Sequence, residues 1–200
     1  MRFLALGDSY TIGEGVADGG RWPEQLAGLL RDRGIGIGDP RIIARTGWTT
    51  DELDAAIDEA RPEGPHALVT LLIGVNNQYR GRGVDEYREQ FRALLERAVG
   101  FAGGDAGRVI VVSIPDWSIT PYSEGRDRAQ IAADIDAFNA VNRAEAEARG
   151  ARWVDVTAQS RAPGAADLLA DDGLHPSAAA YADWARRILP TALAILGSGD

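Results

Sequence analysis

Cysteine and lysine are both missing from this 200-residue chain, methionine occurs once, and histidine occurs twice. Without a thiol there is no disulfide framework, no thiolate nucleophile and no cysteine-ligated metal. Only His66 and His175 could supply imidazole, and neither has a partner at helical or loop spacing, so no metal site is expected. All 21 basic residues are arginines, set against 30 acids for a net charge of −9. That balance repels a phosphate backbone and argues against a nucleic-acid partner. The missing lysine reads as codon bias rather than function. No apolar run approaches the length of a membrane span. The N-terminal FLAL is too short for the apolar region of a signal peptide, so a cytoplasmic location is the expectation. Nothing in the composition speaks to an oligomeric state.

What the chain does have is alternation. It is 45% apolar, ordinary for a globular protein, and its length suits one domain over residues 1–200. Strand-like apolar runs recur at 2–6, 41–45, 66–73, 108–114 and 151–156. Helical patterns lie between or after them at 22–34, 51–61 (with Thr50 as its cap), 84–102, 129–149 and 177–196. Strands alternating with helices imply an α/β sandwich: a five-stranded parallel sheet covered on both faces. Two long irregular stretches, 114–128 and 157–176, both follow predicted strands. Loops of that length in a compact domain are more often functional than idle.

The tips of the strands carry the chemistry-bearing residues. The first run ends in Gly7-Asp8-Ser9, followed by Gly13 and Gly15. Ser9 there is either a helix cap or a nucleophile at the ligand-binding edge of the sheet. Asp8 either holds the turn through backbone bonds or joins the chemistry. His66 opens a strand at the opposite edge and reads as a partly exposed strand-end residue. His175, in Asp171-Asp172-Gly173-Leu174-His175-Pro176, stands just before the last helix, with Pro176 suited to the helix start. Asp172, three residues earlier, is placed to accept from Nδ1 and leave Nε2 to take a serine proton. Gly47 after the second strand and Asn76 after the third offer a backbone N–H and a side-chain amide to a developing oxyanion. Each also has a plain turn-forming explanation. Trp48, Tyr79, Trp117 and Tyr122 are candidates to line an apolar acyl pocket, or else pin loops to the core. Arg80 and Arg82 are solvated loop charges or, less simply, a site for a negatively charged substrate.

GDSYTIGEG, a glycine after the second strand, GVNN after the third and DGLHP before the last helix together resemble the SGNH hydrolases, also called the GDSL esterase/lipase family. The resemblance runs through almost the whole chain. It implies a flavodoxin-like strand order 2-1-3-4-5 and a serine hydrolase acting on a small-molecule ester without a cofactor. In that reading Ser9, Asp172 and His175 are catalytic, and Ser9, Gly47 and Asn76 form the oxyanion hole. One departure is Asn77, where the family's third block usually has aspartate. No Gly-x-Ser-x-Gly elbow occurs, which sets the chain apart from the other large serine esterase fold. Within enzymes, the same residues would also serve a carbohydrate O-acetyl esterase or an acyl-CoA thioesterase, although the acidic balance leans against CoA. Outside enzymes, the alternative is a catalytically silent binding module.

Overall fold

A computed structural model describes residues 1–197. Five strands, β1 (Phe3–Gly7), β2 (Arg41–Ala44), β3 (Leu68–Leu72), β4 (Val109–Val112) and β5 (Arg152–Val154), form one parallel sheet in the order β2-β1-β3-β4-β5. This is the order implied by the family resemblance. Every residue of β1, β3 and β4 is buried, whereas β2 and β5, at the two edges, are partly exposed. That is why the central strands read as unbroken apolar runs rather than alternating ones: both of their faces are covered.

Eight helices accompany the strands: α1 (Ser9–Ile12), α2 (Trp22–Asp32), α3 (Thr50–Ala60), α4 (Val75–Tyr79), α5 (Val84–Phe101), α6 (Arg128–Arg149), α7 (Thr157–Ser160) and α8 (Ala178–Leu196). α2 packs along α8, and α5 packs against both α3 and α6, giving a layer of helices on each side of the sheet. The large buried side chains Trp22, Leu26 and Tyr181 fill one layer, and Tyr87, Phe91 and Leu53 the other. Among the described residues no helix is long and apolar enough to cross a membrane.

Several boundaries differ from the sequence expectation. The cap of α3 is Thr49, not Thr50: Thr49 and Glu52 make the reciprocal capping box, and Thr50 is the first helical residue. The stretch 157–176 is not structureless. It holds α7 and then an antiparallel pairing in which Ala170 N–H donates to the His175 carbonyl (2.7 Å) and Ser177 N–H to the Leu168 carbonyl (2.8 Å). Pro176 belongs to that pairing, and Ser177 is the side-chain cap of α8. His66 is 2% exposed rather than partly exposed. Burial holds its imidazole below the usual pKa, against the opposing pull of a contact to the Phe101 carbonyl.

The topology determines where a site can form. From β1 the chain moves outward to β2, then returns to place β3 on the other side of β1. The strand order reverses there, and the crevice at the carboxyl ends of β1 and β3 is where open α/β sheets bind ligands. Ser9 leaves β1 into this crevice and Asn76 leaves β3 into it.

Candidate active site

The site starts with the close approach of α1 to its strand. Gly7 ends β1, and a Cβ there would lie 2.2 Å from Thr11 Oγ1 and 2.5 Å from the Leu72 carbonyl oxygen. Only glycine lets the chain turn at once from strand to helix. Asp8 caps α1, its Oδ1 accepting from Tyr10 N–H at 3.1 Å. Ser9 therefore sits at the first turn of α1. Its N–H has no acceptor within the described residues, as expected for the orphan donors at a helix start.

Asp8 is fully buried, and its Oδ2 has no hydrogen-bond partner. Desolvation raises its pKa to about 7, against the opposing effect of backbone hydrogen bonds. Between its unfolded and folded pKa values the native state holds the proton that the unfolded chain has released. Stability therefore falls as pH rises from about 4 to about 7. Asp8→Asn keeps the cap oxygen and removes the ionisation. It is expected to raise the melting temperature at pH 8 and to lose that advantage towards pH 4, read by thermal melts across the range. A pH-independent difference would contradict this account of Asp8.

His175 is held by the turn Asp172-Gly173-Leu174. Asp172 Oδ1 accepts from the N–H groups of Leu174 and His175, both at 2.9 Å, while Oδ2 lies 2.6 Å from His175 Nδ1. One carboxylate thus folds the turn and fixes the ring. Burial pushes the Asp172 pKa up, but the bonds from the His175 ring and the two main-chain N–H groups outweigh it and hold the carboxyl below its usual range. The imidazole is 7% exposed and packs edge-on to Tyr10 at 5.5 Å between centroids. In this conformation Ser9 and His175 line one cleft, with no hydrogen bond between their side chains. Such bonds often tighten only when substrate binds.

The oxyanion candidates come from two loops stapled together. Gly47 has φ of +89°, which glycine adopts freely, and its N–H has no acceptor within the described residues. Asn76 Nδ2 donates to the Trp48 carbonyl at 2.9 Å, leaving its second N–H for the cleft. Arg80, at the end of α4, donates to the Gly47 carbonyl at 2.7 Å and pairs with Glu52 at 3.3 Å. Arg82 pairs with Asp51 and Glu86. Arg80, still largely exposed, ties the end of α4 to the Gly47 loop and the start of α3, and Arg82 ties the segment between α4 and α5 to both α3 and α5.

Asn77 makes the same connection from inside. Its Oδ1 accepts from Thr50 N–H (3.1 Å), its Nδ2 donates to Thr50 Oγ1 (2.7 Å), and that hydroxyl in turn donates to Gln90 Oε1. An aspartate could not donate to Thr50 and would compete with Gln90 for its proton, so the amide at 77 fits the glutamine at 90. Asn77 is fully buried. Asn77→Asp is expected to cost about 1–3 kcal/mol, with a larger drop in melting temperature at pH 8 than at pH 5, where the buried carboxyl is protonated. Equal melting of variant and parent at both values would contradict this.

These pieces surround a cleft lined by Ser9, Tyr10, Thr46, Gly47, Val75, Asn76, Tyr79, Trp117, Tyr122, Leu174 and His175. Of the expected pocket aromatics, Tyr79, Trp117 and Tyr122 are in its wall, drawn together at ring-centroid distances of 5.6–6.2 Å. Trp48 is not: its side chain packs half-buried against the core, and its carbonyl supports Asn76. Tyr10 and Leu174 were not anticipated, although each is the immediate neighbour of a candidate catalytic residue. No cluster of potential metal ligands occurs among the described residues.

Comparison with known proteins bears on the family and the fold. The model of the GDSL-like lipase/acylhydrolase family matches residues 5–182. Search of curated proteins gives no match. Among solved structures, TesA is similar over 98% of this chain and 100% of its own, with 21% identity and a TM-score of 0.76. An acetyl xylan esterase, Axe2 from Geobacillus stearothermophilus, is similar over 96% and 94% with 22% identity and a TM-score of 0.72. A lipase/acylhydrolase from Enterococcus faecalis covers 99% and 97% at 21% identity and a TM-score of 0.70. At these identities the likeness is one of fold.

Proposed function

The chain belongs to the GDSL-like lipase/acylhydrolase family, and on that footing we propose that it is a serine hydrolase cleaving carboxylic esters of small to medium acyl chains through an acyl-enzyme intermediate. Ser9 Oγ attacks the carbonyl carbon while His175 Nε2 takes its proton. Asp172 Oδ2, already 2.6 Å from Nδ1, fixes the tautomer and stabilises the imidazolium. The tetrahedral oxyanion is met by the Ser9 and Gly47 N–H groups and the free N–H of Asn76. His175 then gives its proton to the leaving alcohol, and water repeats the sequence on the acyl-enzyme to release the acid. No cofactor takes part in these steps.

One observation carries this reading: a single cleft at the switch point is lined by the serine, by an imidazole paired with a carboxylate, and by Gly47 and Asn76. A silent binding module would have no use for that combination. Hydrolysis of para-nitrophenyl acetate, butyrate and octanoate by wild type and Ser9→Ala tests it. Serine-dependent turnover, greatest for the shorter esters, is expected. Failure of the folded wild type to turn over any of them, or equal turnover by Ser9→Ala, would overturn it. A carbohydrate acetyl ester is a second reading, favoured by Tyr79 and Tyr122, which are 40% and 47% exposed at the cleft and offer flat faces to a sugar ring.

A further inference from the structure

The hydrolytic steps leave Arg126 unused. It follows Gly125 in the segment leading to α6, is exposed, and packs against the aromatic wall of the cleft. Its guanidinium carbon is 4.8 Å from the Tyr79 ring centroid, 5.4 Å from Trp117 and 5.9 Å from Tyr122. One nitrogen, Nη2, donates to the Tyr79 hydroxyl at 3.0 Å, and that hydroxyl is 3.3 Å from the Tyr122 hydroxyl. The three rings that fix the cation all belong to the wall of the cleft that Ser9 and His175 line.

Arg126 differs in its partners from the arginines on the segments around it. Arg80 and Arg82, on the neighbouring segment, are neutralised by Glu52, Asp51 and Glu86. Arg161, behind the same loop, is neutralised by Asp116 and Asp136. The Arg126 side chain has no carboxylate partner among the described residues; its guanidinium meets the Tyr79, Trp117 and Tyr122 side chains instead. In a chain of net charge −9, an arginine without an acid beside the substrate cleft concentrates the local positive field where a ligand arrives. The rings hold the guanidinium plane by cation–π attraction, which spares much of the entropy of ordering a long side chain. Most of its N–H donors remain unspent, in a fork that matches a carboxylate.

We propose that Arg126, framed by Tyr79, Trp117 and Tyr122, is an anion subsite that selects esters carrying a carboxylate on the portion lying against the aromatic wall. This rests on the hydrolase reading above and narrows its substrate class. The rings accept a planar or apolar spacer, and the guanidinium takes the charge beyond it. The negative group is a recognition element and undergoes no chemistry.

The test compares para-acetoxybenzoate, charged on the leaving group, with its neutral methyl ester, and para-nitrophenyl hydrogen glutarate, charged on the acyl group, with para-nitrophenyl butyrate. For each pair the ratio of kcat/KM, charged over neutral, is measured in wild type, Arg126→Ala and Arg126→Glu. Taking ratios between proteins cancels the intrinsic reactivity of the esters. For at least one pair the ratio is expected to fall about fivefold in Arg126→Ala and further in Arg126→Glu. The wild-type ratio should also shrink towards the Arg126→Ala value at about 1 M salt. The pair that responds tells which side of the ester meets the subsite. If both members of both pairs change by the same factor, Arg126 only props the aromatic rings, and the proposal is overturned. Binding of para-hydroxybenzoate against phenol, followed by NMR titration, reads the subsite without turnover. Tighter binding of the carboxylate, lost in Arg126→Ala, supports it even if no ester is hydrolysed and the hydrolase reading fails. Equal binding of the two by wild type overturns it.

Discussion

His175→Ala is expected to lower kcat for a small aryl ester by about 10⁴- to 10⁶-fold, with the fold and melting temperature retained. The magnitude follows from what the ring does. It takes the Ser9 proton, protonates the alcohol, and then activates water, so its loss removes proton transfer from both halves of the cycle. Asp172→Ala is expected to cost less, about 10⁴-fold, because the imidazole remains. Asp172, however, also folds the turn, since its Oδ1 holds the N–H groups of Leu174 and His175. Asp172→Asn separates the two roles: its amide oxygen can still accept from the turn, while its –NH₂ cannot accept from Nδ1. A kcat as low as that of Asp172→Ala, in a protein as stable as wild type, is the expected result. Stopped-assay kinetics with parallel thermal melts measure both. Near-normal turnover by His175→Ala would remove it from the mechanism.

Asn76→Ala comes second in size. Loss of one oxyanion donor is expected to lower kcat by about 10²- to 10³-fold with little change in KM, because the charge on oxygen develops only in the transition state. The same amide also holds the Trp48 carbonyl, and its removal loosens the loop that presents the Gly47 N–H. Two donors are thus affected by one substitution, which places the expected loss at the upper end of the range. An Asn76→Ala enzyme that kept full turnover on a slow substrate, where chemistry limits the rate, would remove Asn76 from the oxyanion hole.

Most of the fold was legible because its signals are local. FLAL, LVTLL and VIVV lie in strands covered on both faces, and such strands must be apolar throughout whatever packs on them. The pairing of Asp172 with His175 was legible for the same reason: three residues and a glycine turn bring the two together without help from elsewhere. What escaped were contacts between residues distant in sequence. Arg80 meets the Gly47 carbonyl 33 positions away, and Asn77 meets Thr50 27 positions away. Nothing in either short stretch reveals its partner. For Trp48, near the tip of the second strand, lining the pocket and packing on the core were both open; the structure has the indole against the core, after the turn that the positive φ of Gly47 makes. The Arg126 cluster combines residues from α4 and from two turns after β4, so only the folded chain shows that a cation is held beside the cleft.

The central claim is that Ser9 is a nucleophile rather than the first residue of a capped helix. Intact-mass analysis after treatment with a fluorophosphonate, on wild type and on Ser9→Ala, tests it most directly. Wild type is expected to gain the mass of one phosphonyl group, located at Ser9 by peptide mapping, and Ser9→Ala to gain none. No adduct on folded wild-type protein, or an equal adduct on Ser9→Ala, would contradict the account and leave Gly7-Asp8-Ser9 as a turn at the tip of a strand.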